Sequence, residues 1–145
     1  MVSHTLTREY TLAPTYIPTV AAFSRDGALL ILGCESGALI ILNTENFSEV
    51  ARFKHTRSRI VYASVSAKGK HAAAATTDGY VLLLARVPHK GATRWEYVGR
   101  VKAHHAPIVC VHFGEAPSGQ TRCFSVSEDG RMTEYDLQVR TVLLR

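Results

Sequence analysis

AAFSRDGALLILGCESGALIILNT, residues 21–44, places two glycine turns, Asp26-Gly27 and Ser36-Gly37, between short apolar runs. Glycine-containing turns flanked by apolar runs are hairpin signals, because glycine reaches the positive φ that tight turns demand. ALLILGC and ALIILNT show no polar-apolar alternation, the pattern of strands covered on both faces. A helix is the rival reading for LLILGC, but glycines on either side leave too little length for one.

The same pattern returns twice. ASVSAKGKHAAAATTDGYVLLLAR (63–86) and VHFGEAPSGQTRCFSVSEDGRMTEYDL (111–137) superimpose on the first stretch at their turn glycines. Gly37 to Gly79 is 42 residues and Gly79 to Gly130 is 51. The nine extra residues fall in two places, three in EAPSGQTR and six in the connection VPHKGATRW, which reads as a long loop beginning at Val87. Insertions confined to connections are what a repeat array tolerates. Each unit offers four strands: PTVAAFS, ALLILGC, ALIILNT and SEVARFK in the first, and IVYASVS, KHAAAAT, YVLLLAR and EYVGRVK in the second. Four-stranded antiparallel units of roughly 40 residues in series predict an all-β fold of propeller blades.

The repeat resembles the WD-repeat family, whose units carry Gly-His, an apolar strand, Phe-Ser-x-Asp-Gly, a serine-bearing strand, x-Asp-Gly and Trp-Asp. Ala103-His104, Ser125, Asp129-Gly130 and Tyr135-Asp136 match in the third unit, and Phe23-Ser24-Arg25-Asp26-Gly27 in the first. Leu42, Leu84 and Tyr135 stand at the tryptophan position, so the third unit alone holds a full hydrogen-bonding set. The resemblance implies a structural network of His104, Ser125, Asp129 and Tyr135, with Asp129 accepting from the imidazole of His104 and Ser125 relaying to Tyr135. The second unit keeps Asp78 but has Ala74 and Leu84 at the serine and aromatic positions, so its cohesion rests on apolar burial.

Residues 78–114 and RCFSVSEDGRMTEYDL resemble more narrowly the WD-repeat proteins of the calmodulin- and spoke-associated complex of motile cilia. Trp95-Glu96-Tyr97-Val98-Gly99-Arg100, His104-His105 with Pro107-Ile108, Phe113-Gly114 and Glu134-Tyr135-Asp136 carry that likeness. It implies a non-enzymatic scaffold in the axoneme near the radial spoke base, in cytoplasm, cytoskeleton and cilium, among calmodulin-containing, microtubule-associated protein subunits. A generic cytosolic adaptor for substrate recognition or trafficking is the alternative.

No chemistry competes with that reading. Seven histidines and three cysteines show neither CxxC nor HxxxH spacing, so no metal is expected. The serines lack a G-x-S-x-G elbow, no carboxylates pair as acid and base, and Glu128-Asp129-Gly130 lacks the spaced ligands of a calcium loop. No catalytic residue and no cofactor is expected. Trp95, the one tryptophan, reads as a packing anchor.

The 145 residues, 46% apolar and 20% charged, suit a globular chain. Three cysteines in strand-like runs, with no secretory apolar segment, point to a reducing setting without disulfides, and no apolar run reaches bilayer length. Neither membrane nor nucleic acid is an expected partner. A net charge of +5 permits contact with acidic partners without choosing among them. In an up-and-down unit, Lys68, Lys70, Lys90 and Arg94 fall at one end with few acids nearby, a candidate partner surface facing, for example, an acidic subunit or tubulin.

The segments divide as 1–14, an outer strand of a preceding blade, then 15–55, 56–103 and 104–145, three blades. Three blades do not close a ring, so the remaining blades are expected from the same or another chain.

Overall fold

The computed structural model describes residue 5 and residues 8–138, and among these every regular element is a strand. The first sheet holds β1 (Pro18–Phe23), β2 (Leu29–Cys34), β3 (Leu39–Asn43) and β4 (Glu49–Phe53). The second holds β5 (Ile60–Val65), β6 (His71–Thr76), β7 (Tyr80–His89) and β8 (Ala92–Lys102). The third holds β9 (Ile108–Glu115), β10 (Thr121–Ser127) and β11 (Met132–Tyr135). All three are antiparallel meanders with strands in chain order. The third sheet has three strands rather than four among the described residues; the expected fourth falls in 139–145, outside them. Of the outer strand expected over 1–14, residues 8–13 form no strand, and residues 1–4, 6 and 7 lie outside the description.

The sheets stack face to face, which explains the unbroken apolar runs. Leu29, Ile31, Leu39 and Ile41 of the first sheet meet Ala72, Ala74, Leu82, Leu84 and Trp95 of the second. The opposite side of the second, Ala73, Ala75, Val81 and Leu83, meets Val111, Cys123 and Tyr135 of the third. Alternate residues of β6 and β7 thus serve two different interfaces, and both must be apolar. Each fully buried leucine or isoleucine contributes about 1.5–3 kcal/mol. The small alanines of β6 let neighbouring sheets approach, and Trp95, only 6% exposed, fills the space they leave toward the first sheet.

Each junction is locked at a turn glycine. Gly37 and Gly79 both have positive φ, 89° and 84°. A methyl on Gly37 would stand 2.4 Å from the carbonyl oxygen of Thr56, and one on Gly79 would stand 2.1 Å from that of His104. The loop leading into each sheet therefore seats its backbone on the preceding sheet's turn. The amides of Ala103 and His104 also donate to the Gly79 carbonyl, at 3.0 and 3.2 Å.

The expected loop at Val87 is instead a continuation of the hairpin. Val87 pairs with Arg94, Pro88 with Thr93 and His89 with Ala92, around a two-residue turn at Lys90 and Gly91 with φ of 46° and 77°. Pro88 fits because β6 ends opposite Ala85, which leaves the far part of β7 paired on one side only. The six inserted residues build an arm that the first sheet, with five-residue β3 and β4, lacks.

Candidate functional site

The third unit's polar network lies between the second and third sheets. His104 is 1% exposed and Ser125 is fully buried. The loop before β9 carries His104 inward so that Nε2 lies 2.7 Å from Ser125 Oγ, and that oxygen lies 2.7 Å from the Tyr135 hydroxyl. Ser125 and Tyr135 share the face of β10 and β11 that meets the second sheet. Burial pushes the Tyr135 phenol above its ordinary range, partly offset by the Ser125 bond. Burial keeps the phenol neutral, and the network ties loop, β10 and β11 together.

Asp129 is not a member. Its carboxylate accepts from Ser127 Oγ and, at 3.1 Å, from the Arg131 amide, while Nδ1 of His104 is buried without a hydrogen-bond partner. The physical reason is local: an aspartate two residues after a hydroxyl folds back on its own turn, an Asx-type closure available without reaching across the sheet. The same pair recurs where Ser24 Oγ donates to Asp26 at 2.6 Å and where Thr76 Oγ1 donates to Asp78. Sequence reading took the aspartates singly; the signal was the repeated hydroxyl-x-Asp-Gly of residues 24–27, 76–79 and 127–130. Hydrogen bonds from Ser24 and Ser127 hold Asp26 and Asp129 below the usual carboxylate range. Partial burial pushes Asp78 upward, but hydrogen bonds from Thr76 and Ser58 together outweigh it, and its value is also lowered.

The four cations of the candidate surface separate. Lys68 and Lys70 flank the turn between β5 and β6 and line a groove of about 1120 Å³ against the base of the arm. Lys68 Nζ donates to the Gly119 carbonyl at 3.0 Å. Lys90 sits at the arm's tip, and Arg94 is paired with Glu96 at 2.6 Å. The structure adds Arg86, whose Nε donates to Thr93 Oγ1 at 2.8 Å, to the groove with Lys68 and Lys70. Sequence reading placed Arg86 at the end of the strand YVLLLAR, apart from the loop cations, and so did not group it with Lys68 and Lys70.

Between the first two sheets His55 stacks flat on Tyr97 with centroids 3.6 Å apart, and at the end opposite the arm Arg100 and Lys102 lie over the Tyr80 ring. Arg59 pairs with Glu35 there at 3.2 Å. Cys34, Cys110 and Cys123 are free thiols. Among the described residues no three His, Cys, Asp or Glu side chains gather as a metal site would require.

Stacked antiparallel meanders, a loop seated on each preceding turn, and the buried His-Ser-Tyr relay define consecutive blades of a β-propeller, the fold that the WD-repeat resemblance implies. The crystal structure of the Cps50 (Swd1) β-propeller domain from Myceliophteria thermophila has this fold: TM-score 0.65, 18% identity, with 86% of this chain and 37% of that one covered. No protein-family model matches the chain. The particular protein it resembles is cilia- and flagella-associated protein 251. It is 50% identical to the Chlamydomonas reinhardtii protein over 120 residues and 25% identical to that of Tetrahymena thermophila over 137 residues, in each case 83% of this chain. The chain spans 15% and 14% of the length of those relatives.

Proposed function

We propose that these blades are part of a non-enzymatic scaffold of the ciliary axoneme, holding protein subunits at the radial spoke base within a calmodulin-containing, microtubule-associated complex. The 50% identity to a cilia- and flagella-associated protein carries this reading. The architecture supports it: the buried polar network ties the third blade together, and the features that differ between units, the arm and the charged turns, lie at the ends of the sheets. The remaining blades of the ring come from the rest of the polypeptide or from another chain.

Endogenous tagging tests the location. A signal along detergent-extracted axonemes, with spoke-base proteins recovered by proximity labelling, is the expected result. A diffuse cytosolic signal would sink the ciliary reading and leave a cytosolic adaptor.

A further inference from the structure

The arm of the second blade has no counterpart in the first, and its base forms one wall of the groove of about 1120 Å³. The opposite wall is the β5–β6 turn with Lys68 and Lys70, and Arg86 projects from the arm itself. Among the described residues none of these three cations has a carboxylate partner. The one acid in the lining, Glu96, is already held by Arg94. Lys68, Lys70 and Arg86, the last also acting on Asp26 of the first sheet, raise the positive potential around this concave site. Val87, Pro88 and Val98 supply apolar surface between them.

Shape adds a second constraint. β8 is the outermost strand of its sheet, and Thr93, Glu96, Tyr97 and Val98 of β8 line the groove. Its outer edge offers backbone donors and acceptors to a further strand, and an extended chain is the ligand that uses them. The Nδ1 of His71, in the same lining, is buried without a partner and adds an unused hydrogen-bonding position.

We propose that this groove docks an acidic, extended polypeptide segment of a partner protein. Carboxylates meet Lys68, Lys70 and Arg86, while the segment's backbone runs along β8. The chain's own residues 139–145, VRTVLLR, carry two arginines and no acid, so they would add to the groove's charge instead of neutralising it. The inference goes beyond the ciliary reading and does not depend on it.

The test uses the whole chain and a fluorescently labelled glutamate-rich peptide, with a glutamine-rich peptide of equal length as comparison, read by anisotropy. Expected are preference for the glutamate peptide, loss of affinity as salt rises, and about tenfold weaker binding by Lys68→Glu/Lys70→Glu/Arg86→Glu. Lys54→Glu/Arg57→Glu, at the other end of the blades, should leave affinity within about twofold. Equal weakening by both variants, or equal binding of both peptides, would overturn the proposal. So would a rise of about tenfold on deleting residues 139–145, because the groove would then belong to that segment. Circular dichroism checks folding, and if the charge reversal does not fold, Lys68→Gln/Lys70→Gln/Arg86→Gln gives the same readout.

Discussion

The carbonyl oxygen of His104 occupies the space where Gly79 would carry a side chain, 2.1 Å from the position of a Cβ. The second blade ends its turn without a side chain so that the backbone entering the third can lie against it. Gly130 adopts the same conformation, φ 82°, yet no described atom lies within 4 Å of its would-be Cβ. The two positions separate backbone strain from packing.

Gly130→Ala should cost about 1–2 kcal/mol, the strain of placing an L side chain at positive φ. Gly79→Ala carries that cost plus displacement of the His104 loop, so its urea midpoint should fall clearly further. Equal midpoints would show that the junction does not depend on this contact.

Ser125→Ala should destabilise by about 1–3 kcal/mol, because it strands both the His104 ring and the Tyr135 hydroxyl in a buried site. Denaturant melts measure it. Asp129→Ala, at an exposed turn, should cost less, in contrast to what membership of the network would have required. Reversal of that order would return Asp129 to the network.

Trp95→Ala should cost about 3–5 kcal/mol by opening a cavity between the first two blades. Trp95→Phe should retain most of the stability, since the indole Nε1 has no hydrogen-bond partner to lose. Thermal melts of both variants check this, and a phenylalanine variant as unstable as the alanine one would contradict the packing role.

Acid should unfold the chain in two stages. Burial first, and Lys70 second, hold the His71 imidazole below its ordinary 6.5. The unfolded chain then binds the proton more readily, so stability is full above pH 6.5 and declines as pH falls from there through the folded value. His71→Gln should flatten this limb. Asp26, Asp78 and Asp129 are lowered from 3.8, so what they contribute is present above that pH and is lost as pH falls through their folded values. Melting temperature against pH measures both, and an unchanged slope near pH 6 in His71→Gln would remove the first.

The repeat, the meander order and the buried strands were legible because turn glycines recur at set distances and every apolar run must face a neighbour. His104, Ser125 and Tyr135 could be placed together from the family pattern. Two features resisted. Lys90-Gly91 is not the Asn-Gly pair that announces a two-residue hairpin, and Pro88 sits in a strand only because β7 is paired on one side there. Asp129 had two satisfactory acceptor roles, and the choice between a local turn and a distant ring is made by backbone geometry that spacing alone does not encode.

Seating each loop on the turn before it gives the chain a direction in time. The carbonyl that fits against Gly37 belongs to Thr56, and the one that fits against Gly79 belongs to His104, so each contact is supplied by residues synthesised later. A blade leaving the ribosome is therefore an unfinished article until its successor follows. Translation pauses within one unit prolong the exposure of the unit already made, and the burden of protecting that surface falls on chaperones acting one blade behind the growing end.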